Sequence, residues 1–127
     1  MWNKQLTNIT LWLSILFFPA LVVAQGPGYS AYKDGEKCRK SRDLECAIQN
    51  YDRAIKLEST NYRYYARKGQ VLMKMGRKQD AIQAFEGATR VNPGWTSGFL
   101  QLAKISLSEK KYDQAINYLN QAYNEER

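Results

Sequence analysis

Small and apolar positions recur along this chain with a step of 34 residues. Ala47, Ala81 and Ala115 form one column, and Ala54, Ala88 and Ala122 a second. Ile48, Ile82 and Ile116 form a third, and Tyr51, Phe85 and Leu119 a fourth. Agreement in size and polarity over four columns marks an array of repeated units. Turn-forming clusters punctuate the array at Ser41, Glu58-Ser59-Thr60-Asn61, Gly76 and Asn92-Pro93-Gly94. Between them the sequence predicts helices over about 29–40, 42–57, 62–75, 78–91, 97–108 and 111–124. Ser41, Asn61 and Thr96 are expected to cap the second, third and fifth. Gly76 is expected to end the third in the left-handed conformation.

The central unit, Tyr62 to Trp95, reads Tyr65-x2-Lys68-Gly69-x2-Leu72, then Ala81-x3-Phe85, Ala88 and Pro93. It resembles the tetratricopeptide repeat, a helix–turn–helix unit of this length. The flanking copies carry fewer of the marks. The first keeps Gly35, Ala47, Tyr51 and Ala54, with Ala31 at the leading aromatic position and Ser59 in place of proline. The third keeps Phe99, Leu102, Ala115 and Ala122, with Ala103 in place of glycine. Three repeats, 28–61, 62–95 and 96–127, then fill residues 28–127. The resemblance implies an all-α fold: three tandem antiparallel hairpins stacked as a short right-handed superhelix. In that geometry Gly35 faces Ala47 and Ala54, Gly69 faces Ala81 and Ala88, and Ala103 faces Ala115 and Ala122. Small residues there let the helices approach closely, so Ala81→Leu should overpack the crossing at about 1–3 kcal/mol.

The first 24 residues follow another logic. A start with one Lys and no acid leads into the apolar run Leu11 to Ala24, which ends Val22-Val23-Ala24 before polar Gln25-Gly26-Pro27-Gly28. This is the pattern of a secretory signal peptide over 1–24, with 25–28 as linker. The alternative is an uncleaved signal anchor over residues 9–24. Either implies export: secretion, a periplasm or an organelle lumen. Lys and Arg number 19 against 12 Asp and Glu, a basic balance that raises an acidic partner, nucleic acid or an anionic membrane surface without choosing among them. Histidine is absent, which removes the commonest general base and metal ligand. There is no phosphate loop, dinucleotide turn or activated nucleophile, so no enzyme, cofactor or metal is expected. Export and the lack of a known module weigh against nucleic acid.

The resemblance implies that a partner protein or peptide binds the concave face lined by the first helix of each hairpin. Carried onto this sequence, that face holds Tyr29, Tyr32, Lys33, Glu36, Arg39 and Lys40, then Arg63, Ala66, Arg67, Gln70, Met73 and Lys74. In the third repeat it holds Ser97, Leu100, Gln101, Lys104, Leu107 and Ser108. Seven cations stand there against one acid, Glu36. The expectation is an acidic or carboxylate-bearing ligand, with Tyr29, Tyr32, Met73, Leu100 and Leu107 giving apolar contacts. Ordinary solvated lysine and arginine is the alternative. Some family members clamp a chaperone's C-terminal carboxylate with Lys, Asn and Arg. The matching positions here are Tyr32, Glu36, Arg67, Ser97 and Gln101; only Arg67 suits that role and Glu36 would repel the ligand, so this clamp is not expected. The function implied is an adaptor, assembly factor or co-chaperone. A self-associating subunit and a membrane-anchored accessory of a larger complex are the alternatives.

Cys38 and Cys46 lie eight apart across the first hairpin turn. In an oxidising compartment they would bridge, stabilising by roughly 2.5 kcal/mol through loop closure. The other reading is that Cys38 is a small buried apolar residue. Finally, Ile116, Leu119 and Tyr123 lie on the last helix with little to cover them. This is either a tolerated or truncated edge, or a surface for a second copy or partner.

Overall fold

Each hairpin closes because its turn supplies a left-handed residue and its crossing supplies room. The computed structural model describes residues 25–127, so the leader reading and Ile9 to Ala24 lie outside the described residues. Six helices follow in order: α1 Tyr29–Lys40, α2 Leu44–Leu57, α3 Tyr62–Lys74, α4 Lys78–Val91, α5 Thr96–Ser108 and α6 Tyr112–Glu125. They pair as α1/α2, α3/α4 and α5/α6, and neighbouring hairpins stack through α2 on α3 and α4 on α5. No strand occurs among the described residues, and no described helix is long and apolar enough to cross a membrane.

The three hairpin turns repeat the 34-residue step. Arg42 (φ 65°), Gly76 (φ 75°) and Lys110 (φ 60°) all adopt the left-handed conformation. In each turn the next amide reaches back to the helix: Asp43 N to Cys38 O, Arg77 N to Leu72 O and Lys111 N to Ser106 O, all at 2.9 Å. Only the central turn carries the glycine that this conformation favours.

Two expected caps are corrected. Ser41 closes α1 instead of opening α2: its Oγ donates to Cys38 O at 2.9 Å, and Asp43 caps α2 by accepting from Cys46 N at 3.0 Å. The turn through Arg42 moves the start of α2 to Leu44, two residues past the expected 42. Thr96 is already inside α5, with Trp95 at the cap position and no side-chain cap bond. Asn61 caps α3 as expected, accepting from Arg63 N at 3.3 Å.

The alanine columns are buried: Ala47, Ala54, Ala81 and Ala88 are fully sequestered, and Ala115 and Ala122 nearly so. The glycines, however, make room for aromatic rings before they make room for alanines. A Cβ on Gly35 would come 2.7 Å from the Tyr51 ring, and one on Gly69 2.8 Å from Phe85. The aromatic side chain of the second helix lies across the glycine of the first. In the third repeat the equivalent pair is Ala103 and Leu119: the position gains a methyl where the partner loses a ring. Leu119, unlike the two buried rings, stays 43% exposed.

Candidate functional site

α1, α3 and α5 form one face of the stack, and that face carries two hollows. The larger, about 480 Å³, lies between α3 and α5 over the start of α4. Met73, Phe85 and Ile105 give it apolar walls, and Gln70, Lys74, Lys78, Gln101, Lys104 and Ser108 its polar lining. The smaller, about 250 Å³, is lined by Tyr32, Tyr62, Arg63, Ala66, Arg67, Gln70 and Trp95. Gln70 belongs to both, so the hollows adjoin along α3.

Of the residues expected on this face, Tyr32, Arg63, Arg67, Gln70, Met73, Lys74, Gln101 and Lys104 line one hollow or the other. Tyr29, Lys33, Arg39, Lys40, Leu100 and Leu107 line neither. Leu100 and Leu107 remain about half exposed. The sequence reading missed Lys78, Tyr62 and Trp95. Lys78 opens α4, a second helix of a hairpin, and so falls outside a rule that takes only the first helices. Tyr62 and Trp95 flank the central repeat, and their ring centroids lie 5.5 Å apart.

Electrostatically the two hollows differ. Beside the smaller one, Glu36 anchors a network. Arg39 Nη2 donates to its Oε2 at 2.8 Å, Tyr51 Oη donates to its Oε1 at 2.6 Å, and Arg67 Nε stands 3.5 Å from Oε1. Burial works against the ionisation of Glu36. The bonds from Arg39 and Tyr51 and the charges of Arg67 and Arg39 outweigh it, holding the carboxyl below the usual range. Glu36 therefore does not simply repel an anion, since its charge is spent on two guanidiniums. Arg39 and Arg67 are likewise less available to a ligand than their sequence positions suggest, and Arg67 also donates to Gln70 at 3.0 Å.

Around the larger hollow no described carboxylate lies within ion-pair distance of Lys74, Lys78 or Lys104. Glu109, at the end of α5, is held by Lys111 at 2.7 Å. That contact, with the charges of Lys111 and Lys78 and a bond from Gln79, keeps its carboxyl below the usual range against a smaller effect of burial. Three ammonium groups around an apolar floor can hold an anionic group beside an apolar side chain. The lining has no histidine, cysteine or carboxylate, and the described residues contain no cluster able to hold a metal ion.

Cys38 and Cys46 are joined as a disulfide across the α1–α2 turn, with Cα atoms 5.7 Å apart. The bridge belongs to the first hairpin, and neither cysteine lines the lysine-lined hollow.

A family model described as tetratricopeptide repeat matches residues 62–94 and 97–127. The chain belongs to the tetratricopeptide repeat family. The first hairpin, 29–57, lies outside the matched residues but has the helix lengths and the turn of the other two. Among curated proteins, the "Tetratricopeptide repeat and J domain-containing co-chaperone DNJ1" of Cryptococcus neoformans is 35% identical over 69 residues, 54% of this chain and 13% of that protein. The Hsp70-Hsp90 organizing protein of Triticum aestivum is 28% identical over 104 residues, 73% of this chain and 18% of that protein. The chain thus spans a small part of the curated relatives it matches.

Among solved structures, that of MamA superposes with a TM-score of 0.74 at 24% identity, covering 80% of this chain and 59% of that one. The second tetratricopeptide domain of Spaghetti (RPAP3), bound to the HSP90 peptide SRMEEVD, superposes at 0.69 with 17% identity, covering 79% and 93%. At these identities the likeness is one of fold. With the family match they show an all-α tetratricopeptide repeat fold.

Proposed function

We propose that this module is an exported adaptor that binds an acidic peptide segment in the hollow between α3 and α5. The observation that carries the reading is the set Lys74, Lys78 and Lys104 around Met73, Phe85 and Ile105, with no described carboxylate within ion-pair distance of the lysines. A Glu or Asp carboxylate would meet the ammonium groups while a neighbouring Leu, Met or Val enters the apolar floor. Charge complementarity would set the encounter rate and choice of partner, and the buried apolar contact the residence time. The peptide on Spaghetti has this mixed character, SRMEEVD. Here the cations stand at positions other than Tyr32, Glu36, Arg67, Ser97 and Gln101, so the mode of capture is this chain's own. Export rests on the leader pattern and accords with the paired cysteines, which persist in oxidising compartments.

The test is fluorescence anisotropy with peptides carrying Glu beside Leu or Met, and with their Gln counterparts. Reversing Lys74→Glu, Lys78→Glu and Lys104→Glu together should weaken the acidic peptides by roughly 100-fold at low salt, at about 1 kcal/mol per reversed contact. Helicity should stay unchanged. Equal binding of acidic and Gln peptides, or an unaffected triple variant, rejects the reading. N-terminal sequencing of the protein recovered outside the cytosol tests export: a start at Gln25 means a cleaved leader, an intact Met1 an anchor.

A further inference from the structure

The smaller hollow is built from residues that the repeat itself does not require. Along the 34-residue step, Tyr62 stands where the other copies carry Gly28 and Thr96, and Trp95 where the first carries Asn61. Ala66 stands where they carry Tyr32 and Leu100, so the central copy alone leaves space at that position. The α3 helix therefore offers a bare floor at buried Ala66, with Tyr32, Tyr62 and Trp95 around it. Trp95 is firmly held: its ring centroid lies 6.4 Å from that of Phe85, and a Cβ on Gly98 would come 2.5 Å from it. Tyr62 leans on the Trp95 ring at 5.5 Å with a 41° tilt. All three aromatic residues are only partly buried.

We propose that this hollow receives one aromatic side chain of the acidic peptide bound between α3 and α5, an inference that rests on that reading. At about 250 Å³ it falls short of the roughly 300–1,000 Å³ of small-molecule sites and suits a single ring. Tilted rings present faces and edges to an entering ring, the arrangements that aromatic pairs prefer. Arg63 adds a guanidinium with no described carboxylate within ion-pair distance, able to lie over the face of the ring. Arg67 lines the same hollow with its charge already met by Glu36. An aliphatic side chain would cover the floor but gain nothing from rings or guanidinium.

The distance between the hollows sets the spacing along the ligand. Gln70 lines both, so one chain can cross between them without leaving the face. From Ala66 to Met73 the helix advances about 10 Å. The path also shifts sideways, from the α1 side of α3 towards α5. An extended peptide rises about 3.3 Å per residue, so about three or four residues separate the ring from the acidic–apolar pair. The partner is then an extended segment that carries an aromatic residue at that remove.

Fluorescence anisotropy of the full chain with a peptide series tests it. Each peptide carries Glu-Leu and a single Phe placed one, three, four or seven residues away on either side; the parent has Ala throughout. Phe at three or four residues, on one side only, should bind about five- to ten-fold tighter than the parent. Phe at one or seven residues should gain nothing. Ala66→Leu puts the third repeat's residue on the floor and should cut the difference between the best Phe peptide and the parent to less than about two-fold. Tyr62→Ser should also shrink it, which keeps the test decisive if Ala66→Leu disturbs α3. A gain equal at every spacing, no gain at any, or a gain that survives both variants overturns this inference and leaves the acidic-peptide reading standing. A parent peptide that fails to bind rejects that reading and this one with it.

Discussion

The two ends of the face formed by α1, α3 and α5 carry the same kind of residue to opposite effect. Near α1, Arg39 and Arg67 close on Glu36, which also takes the hydroxyl of Tyr51, so the cations there help hold the fold together. Between α3 and α5, Lys74, Lys78 and Lys104 have no such partner among the described residues and face an apolar floor. Counting cations along the face treats the ends alike. What separates them is one carboxylate, placed so that its neighbours satisfy each other before a ligand arrives. A charge already paired contributes to stability, and an unpaired one is available to attract a partner.

The strongest way to break the contrast is to remove that carboxylate. Glu36→Ala takes the acceptor from the fully buried Tyr51 and leaves two guanidiniums without their anion. The expected loss is about 3 kcal/mol, since a buried hydroxyl and charged donors lose a charged acceptor. Glu36→Gln, which keeps an acceptor for Tyr51, should lose less. Chemical denaturation measures both. Both variants should also bind acidic peptides more tightly at the α1 end, because Arg39 and Arg67 are released. Lost stability without any gain in binding would show that the two ends differ for some other reason.

The disulfide sharpens the comparison next, because it too belongs to the α1 end. Reducing Cys38–Cys46 reopens a short loop and should lower stability by about 2.5 kcal/mol in the chain-entropy model. Hydrogen exchange should show the loss concentrated in α1 and α2. Peptide binding between α3 and α5 should change little. A fall in binding equal to the fall in stability would mean that the hollow depends on the first hairpin.

How far these features were legible depended on what set them. Helices, hairpins and the alanine columns were readable because close approach demands small residues at fixed intervals, and interval is what a sequence displays. The cap at Asp43 was missed in favour of Ser41 because the turn uses one more residue, Arg42, in a conformation that nothing about arginine announces. Lys110 repeats that lesson. Gly35 and Gly69 were read as facing alanines, whereas rings lie over them; residue size fixes that there is room but not which neighbour takes it. The lysine-lined hollow was half legible: Lys74 and Lys104 lay on the expected face, and Lys78 came from a helix the family rule ignores. Arg39 stands three residues from Glu36 on one helix, a pairing the sequence displays, whereas the approach of Arg67 was beyond it, since Arg67 and Glu36 belong to different repeats.

Titration separates the ends without a mutation. Glu36 has a folded pKa below its ordinary 4.5, so its contribution is present above pH 4.5 and is lost as pH falls through the folded value. Stability should therefore drop in acid, and Glu36→Gln should flatten that limb. Two tyrosines behave in the opposite sense. Burial first, then bonds to Glu58 and Glu86, push Tyr64 and Tyr118 up to about 12. Their contribution is full below pH 10 and is lost as pH rises through about 12. Glu36→Gln should leave this alkaline limb of Tyr64 and Tyr118 in place.

The smallest expected effect is the most specific to the open end. Single changes Lys74→Gln and Lys104→Gln remove one unpaired ammonium each and disturb no ion pair among the described residues. Stability should move by less than about 0.5 kcal/mol, as surface substitutions do. Binding of an acidic peptide should weaken about two- to five-fold at low salt, and the difference should shrink as salt screens the contact. The Gln-substituted peptide should bind wild type and variant alike, because it brings no charge for the lysine to meet. Equal losses for both peptides would mean that the aliphatic stem of the lysine, rather than its charge, is what the ligand touches. The open end would then be an apolar surface, and the contrast with the Glu36 network would be one of shape.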